Sequence, residues 1–146
     1  MDRGPTVNLV SGRLVACYYD SCDLYEEGSW RHLQNTTVKR QFHSSATKEN
    51  AILLIGGSES NTTEWIPVDG SPAQPGPFSV RHGEGHCTIQ LSDNSLVVTG
   101  GAGTSMDFVT EYHLLDASET TLTPLGNRRY YHACAVYQDA DNQQVS

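Results

Sequence analysis

Basic side chains are scarce. Nine Lys and Arg stand against seventeen Asp and Glu, a formal net charge of -8 over 146 residues. A surface of that sign repels phosphate backbones, so nucleic acid is not an expected partner. The adjacent basic pairs, Lys39-Arg40 and Arg128-Arg129, read as solvated turns. Long apolar runs are lacking as well. Around the polar start Met1-Asp2-Arg3-Gly4-Pro5 the longest is Leu9-Val10, so no signal-peptide core and no membrane span is read, and the compartment stays open between cytoplasmic and extracellular. Cysteine is sparse. Cys17, Cys22, Cys87 and Cys134 have neither the density of a disulfide scaffold nor the Cys-x-x-Cys spacing of a zinc site, and they read as buried small hydrophobes.

Helical periodicity is missing too. No stretch of ten or more residues carries apolar positions three and four apart, while short β-rich runs lie between clusters of Gly, Asn, Asp and Ser. The chain is expected to be all-β, and its length suits one domain with a sizeable core. Catalytic motifs are absent: no Gly-x-Ser-x-Gly, His-Glu-x-x-His or calcium loop occurs. The glycine-rich Gly100-Gly101-Ala102-Gly103-Thr104-Ser105 lacks the Gly-Lys-Ser/Thr sequence and following helix of a phosphate cradle. Glu26-Glu27 sits in an apparent turn, with nothing to raise a carboxyl pKa.

A repeat is present. Ala51-Ile52-Leu53-Leu54-Ile55 and Ser95-Leu96-Val97-Val98-Thr99 each end on a glycine doublet, Gly56-Gly57 and Gly100-Gly101. His43 and His86 precede the runs at similar spacing, and His132 continues the series. Small or β-branched residues trail each histidine, as a strand packed close to its neighbours requires. A period in the forties built from short strands is the signature of propeller blades, each a four-stranded sheet that buries its faces against its neighbours.

These residues resemble the kelch repeat, whose pattern is an Arg shortly before a His, a hydrophobic strand ending in Gly-Gly, a Tyr-containing strand, and a Trp or other large residue three before Leu. The resemblance implies a partial kelch-type β-propeller of about three to four four-stranded blades, related also to the galactose-oxidase-like propellers. The first unit, 1–40, is expected to lack its opening strand. It carries Tyr25 and Trp30, with Tyr18-Tyr19 near the place of the missing diglycine. The second, 41–80, opens just after Arg40, with Phe78 as the large residue of its last strand and a loop over the Pro-rich stretch Ser71 to Pro77. The third, 81–128, is the most complete, with Tyr112 in its third strand and Leu122 where a Trp is usual. The fourth, 129–146, opens on Arg129-Tyr130-Tyr131-His132 and breaks off, as a fragment would.

The structural signature is thus Gly56, Gly57, Gly100, Gly101, His43, His86, His132, Tyr25, Trp30 and Tyr112, with Arg40 and Arg129 expected to hydrogen-bond between strands or blades. The resemblance implies a non-catalytic scaffold with no cofactor. It would bind a protein or peptide through inter-strand loops at Ser58 to Thr63, Pro72 to Pro77, Ala102 to Asp107 and Asp116 to Thr121, with remaining blades in the parent chain. The alternative is a fragment of a copper radical oxidase, in which Tyr131 and His132 would be metal ligands. The second, cysteine-linked Tyr of such a site would have to come from Tyr18, Tyr19 or Tyr25 with Cys17 or Cys22. Asn35-Thr36-Thr37 and Asn61-Thr62-Thr63 are glycosylation sequons, meaningful only for a chain in the secretory pathway.

Overall fold

A computed structural model describes residues 6–137. The all-β expectation holds: three antiparallel sheets follow one another along the chain, joined by turns and loops, with a single 3-10 turn at Gly103–Ser105 and no α-helix among the described residues. The first sheet is β1 (Thr6–Val10), β2 (Arg13–Glu26) and β3 (Ser29–Arg40). The second is β4 (Ser44–Lys48), β5 (Ala51–Ile55), β6 (Thr62–Pro67) and β7 (Gln74–Ser79). The third is β8 (Cys87–Ser92), β9 (Ser95–Thr99), β10 (Val109–His113) and β11 (Glu119–Thr121). Every strand pairs with its sequence neighbour, and no sheet closes on itself.

Two expectations are corrected. The first unit has an opening strand: β1 pairs with β2 from Thr6↔Cys17 to Val10↔Arg13 across a Ser11-Gly12 turn with both residues at positive φ, the geometry that matches hairpin twist. The stretch Ser71 to Pro77 is not all loop, because β7 begins at Gln74 and contains Pro75 and Pro77. Proline is tolerated there because β7 is the outermost strand of its sheet.

β2 is folded back on itself. Five extended residues span roughly 17 Å, yet the Cα atoms of Cys17 and Cys22 lie 4.1 Å apart, joined by a disulfide. The chain therefore reverses through Tyr18-Tyr19-Asp20-Ser21, with Tyr19 at φ 44, where the other two sheets carry Gly-Gly.

The core lies between the sheets. Val10, Val15, Cys17, Cys22 and Leu24 of the first sheet pack against Ile52, Leu54 and Ile66 of the second. From the second sheet's other face, Ala46, Leu53 and Ile55 pack against Leu96, Val98 and Tyr112 of the third. Alternate side chains point to opposite faces, so the middle sheet must be apolar on both, which is why β5 reads as an unbroken apolar run. Phe78 of β7 stacks on Tyr112, ring centroids 4.4 Å apart.

Candidate functional site

The first strands of the three sheets run side by side. Asn8 Nδ2 of β1 donates to Ser45 Oγ of β4 at 2.8 Å, and Thr47 N of β4 donates to Gln90 Oε1 of β8 at 3.0 Å. Just before β4 and β8 stand His43 and His86, and His132 follows in the segment after β11. Each histidine reaches into the preceding sheet. His43 Nε2 is 3.0 Å from Thr6 Oγ1, and His132 Nε2 is 2.9 Å from Thr99 Oγ1.

The glycine doublets receive these rings. Gly56 lies at φ 61 and Gly100 at φ 65, in the left-handed region where a side chain is strained. A Cβ on Gly56 would come within 2.8 Å of His86 Cε1, and one on Gly100 would collide with Arg129 O and come within 2.6 Å of His132 Cε1. The second glycines carry backbone contacts: Gly101 N donates to Arg129 O at 2.9 Å, and Gly57 lies against Gln41 O and Arg40. The histidines are neutral packing groups. Burial, reinforced at His43 by the Arg40 guanidinium, pushes His43 and His86 down to about 4. Burial also lowers His82 and His132.

The residue before each histidine forms a second recurring feature. Phe42, Gly85 and Tyr131 all have positive φ (55, 73 and 53) and make a hydrogen-bonded row: Gly85 N donates to Phe42 O at 3.0 Å, and Tyr131 N to Gly85 O at 2.7 Å. With no side chain between them, the Phe42 and Tyr131 rings approach to 4.5 Å, and Tyr130 packs on Tyr131 at 5.0 Å. The row thus gathers Phe42, Tyr130 and Tyr131 into one aromatic cluster over Gly85. The sequence reading missed this row, although Phe42-His43 and Tyr131-His132 stand at matching places in the period.

The expected role of Arg40 is met by its side chain, which is 1% exposed. Its Nε donates to Glu64 Oε1 at 3.0 Å, and its terminal nitrogens donate to Gly56 O, Thr62 O and Thr62 Oγ1. The second carboxylate oxygen of Glu64 accepts from Thr37 N and Thr37 Oγ1. Arg129 behaves differently: its side chain is exposed, and its backbone bonds Met106 and Gly101. In the third sheet the place of Arg40 is taken by His82, whose Nδ1 donates to Gly100 O at 2.7 Å while Nε2 accepts from Thr110 Oγ1 at 3.0 Å. Thr110 and Glu64 are equivalent, each opposite the residue two before the first glycine, Val98 and Leu54.

Tyr112, fully buried, accepts at its hydroxyl from Arg81 N. Tyr25 and Trp30 sit elsewhere: they face each other across β2 and β3, centroids 5.2 Å apart, on the open side of the first sheet. That side also carries the opposed pairs Leu9↔Leu14 and Val7↔Ala16, with Leu9 66% and Trp30 49% exposed.

The cysteines correct the sequence reading. None is free: Cys17 pairs with Cys22, and Cys87 of β8 pairs with Cys134. The sequence offered no spacing signal, because Cys87 and Cys134 meet only when β8 and the segment after His132 lie side by side. At the equivalent place between the second and third units stands a hydrogen bond, Ser44 Oγ to Thr88 Oγ1.

Two of the four expected loops, Ser58 to Thr63 and Ala102 to Asp107, contribute to an open, polar cleft of about 560 Å³ lined by Gly57 to Asn61, His82 to Glu84, and Ala102 and Gly103. Of the expected loops, Ser58 to Thr63 runs into β6, Asp116 to Thr121 runs into β11, and Ala102 to Asp107 holds the 3-10 turn. Tyr131 and His132 lie outside any strand, with the backbone turning at Tyr131. No group of three or more His, Cys, Asp or Glu side chains poised for a metal occurs among the described residues, nor any helix long and apolar enough to cross a membrane. Compared with known proteins, the chain matches no family model and no curated protein.

Proposed function

We propose that the chain is a segment of a kelch-type β-propeller, with each sheet one blade, acting as a non-catalytic scaffold for a protein or peptide. The observation that carries this reading is the recurrence of one contact between successive units, His86 against Gly56 and His132 against Gly100. The sheets supply further support: they follow one another as meanders whose first strands lie side by side. The units would run 1–40, 41–80, 81–128 and 129–146, the last extending into 138–146, outside the described residues. The apolar open side of the first sheet is what a neighbouring blade of the parent protein would cover. Rigid sheets presenting polar loops suit recognition of another protein, since binding residues concentrate on loops held by a scaffold.

The copper radical oxidase reading, with Tyr131 and His132 as ligands, has less support. His132 Nε2 is engaged with Thr99, and a tyrosine–cysteine cross-link needs a cysteine free of disulfides. One experiment separates the two. A photo-crosslinking residue at Thr104 or Asp116 of the full-length parent protein is expected to trap one protein in high yield, undiminished by Tyr131→Phe. About one copper per chain, lost on His132→Ala without unfolding, would replace the scaffold by the oxidase.

A further inference from the structure

Four observations bear on the two sequons. First, both disulfides and the lack of any free cysteine describe a chain matured in an oxidising compartment, where structural disulfides form and persist. Second, Asn35 and Asn61 are exposed. Third, their side-chain amides make no hydrogen bond among the described residues, whereas Asn8, Asn50 and Asn94 are held by Ser45, Ser11 and Lys48. Fourth, the two lie outside the packed cores. Asn61 is in the loop between β5 and β6, and Asn35 is on β3, the edge strand of its sheet, at the point where regular pairing with β2 breaks off after Ser21↔Asn35.

We propose that Asn35 and Asn61 are both N-glycosylated in the mature protein. The donor class is an oligosaccharide linked to a lipid diphosphate. A bond forms between the asparagine Nδ2 and the anomeric carbon, the bond from that carbon to the phosphate oxygen breaks, the lipid diphosphate departs with the electron pair, and one amide proton is released. The fold dictates the timing. Thr37 Oγ1 donates to Glu64 and Thr63 Oγ1 to Phe78 O, so the hydroxyl of each acceptor triplet is engaged once β6 and β7 are in place. The transfer therefore precedes closure of the second sheet.

The two glycans have different consequences. At Asn35 an oligosaccharide shields a twelve-residue edge strand that would otherwise template pairing with another chain. At Asn61 it stands on the rim of the polar cleft and crowds the loop Ser58 to Thr63, which moves protein recognition toward the loops of the third sheet. The glycosylation itself does not depend on the scaffold reading, because it rests on the disulfides, the sequons, and the exposure, hydrogen bonding and position of the two asparagines.

The test uses the protein from its natural source, mapped by mass spectrometry without reduction and treated with peptide N-glycosidase in heavy-oxygen water. The expected result is Cys17–Cys22 and Cys87–Cys134 cross-linked peptides, with Asn35 and Asn61 both converted to labelled Asp. Disulfide-bonded protein in which either asparagine stays unlabelled overturns the proposal for that residue. Protein with free thiols and bare asparagines overturns it for both. Asn35→Gln and Asn61→Gln, at exposed positions that leave packing intact, are each expected to remove one step of gel mobility.

Discussion

The second and third sheets tie down the same point of the backbone with different chemistry. In the second, the carbonyl of the first glycine is held by a buried cation, Arg40, whose charge is balanced by buried Glu64. In the third it is held by neutral His82, bonded to Thr110 at the place of Glu64. An ion and its counterion have been exchanged together for an uncharged donor and a hydroxyl. The comparison shows that the position demands a donor to the glycine carbonyl and a satisfied partner, and does not demand charge. A lone buried charge would be costly, so the two members change as a pair.

Breaking one member of the charged pair is expected to have the largest effect. Arg40→Met leaves Glu64 buried without its cation and should destabilise by about 3–5 kcal/mol, against about 1–3 kcal/mol for His82→Leu, which strands only neutral groups. Urea titration followed by circular dichroism measures both. The paired exchange Arg40→His with Glu64→Thr should recover much of the loss, and equal losses from the single and paired variants would end the equivalence.

A second contrast lies between the covalent link that joins β8 to the segment after His132 and the hydrogen-bonded link that joins β4 to β8. Cys134→Ser opens a loop of sequence separation 47 and is expected to destabilise by about 4 kcal/mol. Ser44→Ala, at the corresponding place one unit earlier, removes a single hydrogen bond worth about 1 kcal/mol. The same titration, with reductant added to the unmutated chain, separates them.

Acid stability depends on what the two sheets share. His43 and His86 are held near 4 by burial, below the 6.5 of an exposed imidazole. Between those values the unfolded chain binds more protons than the folded one, so stability is complete above about pH 6.5 and falls as pH drops toward 4. Each histidine contributes roughly 3 kcal/mol at most over that window. Thermal midpoints between pH 7 and pH 4 should fall, and His86→Gln should flatten the slope.

The smallest effect compares the two glycines. Gly100→Ala meets the Arg129 carbonyl, part of the backbone, whereas the nearest atoms to a Cβ on Gly56 are side chains of His86 and Val80. Gly100→Ala should therefore be worse than Gly56→Ala by about 1–2 kcal/mol. Equal effects would mean that the Arg129 carbonyl does not set Gly100 apart from Gly56.

Much of the architecture was legible along the chain. β5 and β9 begin and end where the apolar runs do, because a strand buried on both faces is written as a continuous stretch. The positions of His43, His86 and the two glycine doublets followed from the period. The role of His82 was not legible, since its equivalence to Arg40 appears only once strand register aligns Thr110 with Glu64. The place of the β2 reversal was legible at Tyr18-Tyr19, though not the disulfide that closes it, and β7 was hidden because its prolines suit only an edge.

By itself, then, the sequence determined the strand-rich class, the length of the repeat and which residues recur in it, since these depend on local periodicity and the backbone freedom of glycine. The tertiary structure alone decided which cysteines pair, that Arg40 and Glu64 neutralise each other, and that Phe42 meets Tyr131 over Gly85. Each of those contacts joins residues far apart in the chain, and their distance is set by how one sheet packs on the next.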